Sequence, residues 1–151
     1  FDTFLATATP RVLRFNESVC LLVIDVDNFK QINDQHGHGV GDYVLQELAR
    51  LFKSRTRETD ICARMGGDEF ALLLCHADKD EALALSQDLL HKVSEHSFVA
   101  KGQKLLVMLS IGIAQLEAEI HDTEMLYGAA DTALYEAKRR GRGQVVVYPF
   151  A

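Results

Sequence analysis

Two pairs of acidic residues stand where hydrophobic runs begin or end. Asp25 and Asp27 follow the apolar stretch Val19-Cys20-Leu21-Leu22-Val23-Ile24, and Asp68 and Glu69 separate Gly66-Gly67 from Phe70-Ala71-Leu72-Leu73-Leu74-Cys75. Carboxylates paired with room for water suit Mg²⁺, a hard cation that takes one or two protein oxygens and completes its octahedron with water and substrate phosphates. Each acid taken singly reads as a solvated turn former. The double glycine shifts that balance, because residues without a Cβ let the backbone lie close against a bound ligand. If the two strand ends are neighbours, Asp25 meets Asp68.

The elements that must position these groups follow from periodicity. Val19 to Ile24 is apolar on both strand faces, the pattern of a buried central strand. Phe29 to Gln35 reads as a short helix, Gly37-His38-Gly39 as a loop, and Val40 to Ser54 as a helix with Val44, Leu45, Leu48, Leu51 and Phe52 on one face. Ile61 to Met65 and Phe70 to Cys75 read as a hairpin around Gly66-Gly67-Asp68-Glu69. Asp80 to His96 is a helix, Leu105 to Leu116 a long strand, Glu124 to Arg140 a helix ended by Gly141, and Val145 to Tyr148 a closing strand. A further helix is expected over Asp2 to Phe15, interrupted by Pro10. A hairpin among these elements argues against purely parallel winding. The expected architecture is α/β (α+β): a mostly antiparallel sheet of about five strands flanked by helices.

With 151 residues, 48% of them apolar and 25% charged, the chain is expected to form one globular domain spanning 1–151. Its net charge of −6 argues against a nucleic-acid polymer as partner, since such binding needs a basic face. A nucleotide ligand is still compatible, because metal ions and a few placed cations handle phosphates locally. Cys20, Cys62 and Cys75 lack Cys-x-x-Cys spacing and read as reduced thiols of a cytoplasmic protein. The first residue is Phe1 rather than Met, which suggests a segment of something longer.

Arg64-Met65-Gly66-Gly67-Asp68-Glu69-Phe70 carries a loop that resembles the signature of the GGDEF family of diguanylate cyclases. The resemblance extends through Asp25-Val26-Asp27-Asn28-Phe29-Lys30-Gln31-Ile32-Asn33-Asp34, His38-Gly39-Val40-Gly41-Asp42 and Ser110-Ile111-Gly112-Ile113-Ala114. It ends with Ala130-Asp131-Thr132-Ala133-Leu134-Tyr135-Glu136-Ala137-Lys138-Arg139-Arg140-Gly141-Arg142, and so covers nearly the whole chain. It implies a fold of the nucleotidyl-cyclase and polymerase-palm type and the synthesis of cyclic di-GMP from two GTP. It further implies two Mg²⁺ per active site, with Mn²⁺ as a substitute.

Carried over residue by residue, the resemblance implies metal contacts at Asp25, the carbonyl of Val26, and Asp68. Glu69 is a further metal contact or a proton acceptor, and with Asp68 forms the catalytic pair. Phosphoryl transfer needs alignment and charge neutralisation, which two metals serve at both ends of an in-line displacement. Guanine presents adjacent N1–H and N2–H donors that a carboxylate accepts, the role implied for Asp42 with Asn33 beside it. Phe29 and Lys30 match positions on the phosphates, Phe29 also reading as core or pocket wall. Lys138 and Arg142 match a second phosphate-binding pair. The usual Gly-Arg-Asn is Gly141-Arg142-Gly143 here, which bears on the order of that loop. Arg57 and Asp60 match an Arg-x-x-Asp product site, implying feedback inhibition by cyclic di-GMP.

Because one site holds one GTP, the expected assembly is a homodimer with facing active sites. A fused upstream sensory domain is expected, and membrane attachment of the parent protein stays open. The upstream Asp-x-Leu-Thr-Gly-Leu-x-Asn-Arg motif is absent from the chain, so weak activity is expected of this segment alone. The alternative is a silent module that senses cyclic di-GMP or GTP.

Overall fold

The computed structural model describes residues 18–151, so the expected helix over Asp2 to Phe15 lies outside the described residues. The chain runs β1 (Val19–Val26), α1 (Phe29–His36), α2 (His38–Arg55), β2 (Ile61–Gly66) and β3 (Glu69–Cys75). It continues through α3 (Lys79–Glu95), β4 (Phe98–Ala100), β5 (Gln103–Leu105), β6 (Leu109–Gln115), α4 (Thr123–Arg139) and β7 (Val145–Val147). Five strands form one sheet in the order β2-β3-β1-β6-β7, with β4 and β5 making a separate two-stranded ribbon. All pairs in the main sheet are antiparallel except β6 with β7.

The central strand β1 is buried between two apolar layers, as its composition demands. Cys20, Leu22, Ile24 and Val26 face the core built with Val44, Leu48 and Phe52 of α2 and Leu89 and Val93 of α3. Val19, Leu21 and Val23 face the other way, onto Leu126, Ala129, Ala130 and Leu134 of α4. A one-residue slip would exchange these two sets, so register is tightly specified. Burial drives the Cys20 thiol up to about 12, and no disulfide joins Cys20, Cys62 and Cys75.

Glycine sets how closely α4 approaches the sheet. A Cβ on Gly112 of β6 would lie 2.2 Å from the Ala130 carbonyl oxygen and 2.3 Å from the Leu134 nitrogen. The helix answers with a face of small residues, Ala129, Ala130, Ala133 and Ala137.

Three expectations are corrected. Leu105 to Leu116 is not one strand: its first residue ends β5, the strand β6 starts at Leu109, and Leu106 between them is 82% exposed. The ribbon it belongs to turns at Lys101-Gly102, both with positive φ (54° and 77°), a two-residue turn whose twist suits a hairpin. Second, Gly37-His38-Gly39 is not a loop: Gly37 alone breaks the chain at φ 92°, and α2 already begins at His38. Third, the turn around Gly67-Asp68 is tighter than the four-residue loop expected, since Gly66 still belongs to β2 and Glu69 opens β3. No helix among the described residues is long and apolar enough to cross a membrane.

Candidate active site

Strand parity explains why the acids converge. Asp25 and Asp27 continue the series Val19, Leu21, Val23 that faces α4, and Glu69 continues the α4-facing pair Ala71 and Leu73 of the adjacent strand. The register pairs Asp25 directly with Glu69. Asp68 is drawn in by the turn, where Gly66 and Gly67 take φ 141° and 47° and the Asp68 carbonyl accepts the Val26 amide at 3.1 Å. Arg64 fixes the same turn, its Nε and Nη2 donating to the Gly67 carbonyl at 3.2 and 2.9 Å.

The charges at this point are only partly neutralised. Lys138 Nζ donates to Asp25 Oδ2, whereas Asp25 Oδ1 is buried with no hydrogen-bond partner. Burial first, and then the adjacent Asp25, push the Asp68 carboxyl up to about 6. Burial also raises Glu69, opposed by a hydrogen bond from the Tyr127 hydroxyl to Oε1 at 2.9 Å. Among the described residues no three His, Cys, Asp or Glu side chains form a preformed metal cage. The set present is two acid side chains, a third beside them, and an orphaned buried oxygen. A buried unpaired carboxylate oxygen is costly, and a cation relieves that cost. These donors therefore fit Mg²⁺, which keeps much of its shell for water and phosphate, and Asp25, Val26, Asp68 and Glu69 are the residues that would hold it.

Asp27 has a part that motif spacing did not assign. Its side chain is 2% exposed, accepts Ser110 Oγ at 2.7 Å through Oδ1, and accepts the Gly143 amide at 2.9 Å through Oδ2. It therefore anchors the turn after α4, where Gly141, Arg142 and Gly143 all take positive φ (119°, 66° and 63°). Gly143 takes that φ without strain, and Asp27 holds its amide. The Arg142 guanidinium lies 3.9 Å from Asp27. Arg139 and Arg140 are spent elsewhere, both clamped on Glu136 at 2.6–2.7 Å, which leaves Lys138 and Arg142 as the cations of this end facing the acids.

Asn33 and Asp42 sit on the neighbouring helices α1 and α2. A Cβ on Gly41 would fall 1.9 Å from Asn33 Oδ1 and 3.0 Å from Phe29 Cζ, so the absence of that Cβ makes room for both side chains. Asn33 Oδ1 is buried without a partner, and Asp42 beside it is exposed. Phe29 is half-buried against the core at the start of α1, with Lys30 exposed next to it.

Arg57 and Asp60 belong to a different face. Asp60 accepts the Arg57 amide at 2.9 Å and the Cys75 amide at 3.0 Å, so both carboxylate oxygens hold the turn into β2. The Arg57 side chain borders a cleft of about 480 Å³ that Lys53 and Arg64 also line.

The diguanylate cyclase GGDEF-domain family matches residues 1–144. Diguanylate cyclase A of Treponema denticola is 39% identical over 131 residues, 87% of this chain, and the chain spans 35% of that relative's length. The active GGEEF domain of a diguanylate cyclase from Vibrio cholerae superposes with a TM-score of 0.88 at 36% identity, covering 96% of this chain and 92% of that one. The GGDEF domain of DgcB from Caulobacter crescentus, solved in complex with c-di-GMP, gives a TM-score of 0.90 at 27% identity, covering 97% and 87%.

Proposed function

The chain belongs to the diguanylate cyclase GGDEF-domain family, and from that premise we propose that it joins two GTP into cyclic di-GMP with release of pyrophosphate. The observation that carries this reading is the acid cluster itself: Asp25 and Asp68 side by side, Asp25 Oδ1 buried and unsatisfied, and Lys138 on the opposite oxygen. Two Mg²⁺ ions, when bound, supply charge neutralisation at the reacting phosphates.

The remaining work falls to side chains of this chain. Lys138 and Arg142, with Lys30 and the backbone near Phe29, bind and orient the triphosphate. Asn33 and Asp42 hold the guanine edge, where adenine would leave the carboxylate unpaired. Glu69 stands next to the attacked phosphate as a metal contact or as acceptor of the 3′-hydroxyl proton. Joining two nucleotides requires two such sites to face each other, hence a homodimer. Arg57, bordering its cleft, is the anchor of feedback inhibition by product, and Asp60 shapes the turn that presents it.

The test is incubation of concentrated protein with GTP and Mg²⁺, products being separated by chromatography beside an Asp68→Ala variant. Cyclic di-GMP from the parent and none from the variant supports the reading. Tight binding of cyclic di-GMP with no product from either overturns it. Arg57→Ala is expected to keep the initial rate and lose inhibition by added cyclic di-GMP, and equal inhibition of both proteins refutes that part.

A further inference from the structure

Glu69 is tied to a residue 58 positions away. Tyr127, in the second turn of α4, donates its hydroxyl to Glu69 Oε1 at 2.9 Å. Its ring is half-buried and packed against the apolar cluster that α4 shares with the sheet. The hydroxyl is thus delivered by a ring that packing holds in place, and Oε1 is the oxygen it occupies. That hydrogen bond takes up one lone pair of Oε1, so a metal meets less competition at Oε2.

A carboxylate that offers one oxygen suits Mg²⁺, which demands near-octahedral geometry at about 2.0–2.1 Å. A carboxylate that offers both favours Ca²⁺, which accepts bidentate ligands at about 2.3–2.6 Å. We propose that Tyr127 is a positioning residue that restricts Glu69 to one-oxygen coordination and so makes this site prefer Mg²⁺ over Ca²⁺. The proposal rests on reading Glu69 as a metal contact. The same hydrogen bond favours the ionised form of Glu69, against the burial that raises its carboxyl. Partners one shell out from a metal typically change affinity about 10–100-fold when removed.

The experiment compares the parent, Tyr127→Phe and Glu69→Gln. Each is titrated with MgCl₂ and separately with CaCl₂ in the presence of α,β-methylene GTP, with affinity read by calorimetry and by the unfolding midpoint. Tyr127→Phe keeps the packed ring and is expected to weaken Mg²⁺ about tenfold while Ca²⁺ binds as tightly or tighter, so the Mg²⁺ preference falls at least about tenfold. An unchanged preference in Tyr127→Phe, with Mg²⁺ weakened in Glu69→Gln, overturns the proposal alone. Parent-like Mg²⁺ binding in Glu69→Gln overturns the reading of Glu69 beneath it.

Discussion

Replacing Gly41 by alanine separates substrate binding from stability. The new methyl would sit 1.9 Å from Asn33 Oδ1 and 3.0 Å from both Asn33 Cγ and Phe29 Cζ. Ordinary contact begins near 3.4 Å, so the Asn33 amide must retreat by about 1.5 Å. The atoms in the way are ends of side chains, so α1 and α2 need not part. Alanine also favours helix over glycine by up to about 1 kcal/mol, which offsets the strain of moving Asn33. The unfolding midpoint is therefore expected to stay within about 2–4 °C of the parent, the shift that 1 kcal/mol produces at this chain length. On the proposed reading, displacing Asn33 removes its hydrogen bond to guanine and leaves a polar group poorly paired, worth about 1–3 kcal/mol. That converts to a rise in the KM for GTP of about 5- to 150-fold. Pyrophosphate release measured against GTP concentration reads the effect, with the midpoint measured on the same preparation. A parent-like KM in a folded variant would refute the placement of guanine beside Asn33.

The same substitution elsewhere has different consequences. At Gly112 the methyl meets backbone atoms of α4 at 2.2–2.8 Å, which have no rotamer to escape to, so we expect a loss of about 1–3 kcal/mol and a drop of several degrees. Gly128→Ala, with nothing within 4 Å, is the control and should hold or raise the midpoint; a parent-like midpoint for Gly112→Ala would be the refuting result. For pH, Asp68 is raised to about 6 in the folded state from 3.8, so the metal-free fold binds the extra proton. Its contribution is present at or below about pH 4 and is lost as pH rises through 6. On the proposed metal site Mg²⁺ competes with that proton, so its stabilisation should be larger at pH 8 than at pH 5, in thermal unfolding with and without Mg²⁺. Equal increments at the two pH values would contradict the assignment.

Local pattern was enough to read β1, the β2–β3 turn and the acids they carry, because a strand apolar on both faces announces its burial and a double glycine announces a turn. The ribbon of β4 and β5 was hidden for a physical reason. Each strand is three residues long, and the run Leu105-Leu106-Val107-Met108-Leu109 looks like a continuous buried strand. In the fold that run alternates, Leu106 and Met108 facing outward, and the Met108 carbonyl accepts the Asp27 amide. Lys101-Gly102 was the available signal. Tyr127 and the anchoring role of Asp27 had no such signal, since their partners are 58 and 116 positions away, and only the packing of α4 brings them together.

That packing makes α4 the element that assembles the site. Parity puts Glu69, Asp25 and Asp27 on the sheet face the helix covers, and the helix meets each with a different group. Tyr127 reaches Glu69, Lys138 reaches Asp25, and the Arg142-Gly143 turn reaches Asp27. Tyr127 and Lys138 are 11 residues apart, about 16 Å along the axis, so one helix fixes the contacts to Glu69 and Asp25 at once, and the turn that follows it fixes Asp27. Their alignment requires the close approach that Gly112 and the alanine face permit. A methyl that lifts α4 by an ångström withdraws the hydroxyl, the ammonium and the turn together. On the proposed function these residues set catalytic geometry through α4, and Gly112→Ala should lose more activity than its fall in stability accounts for.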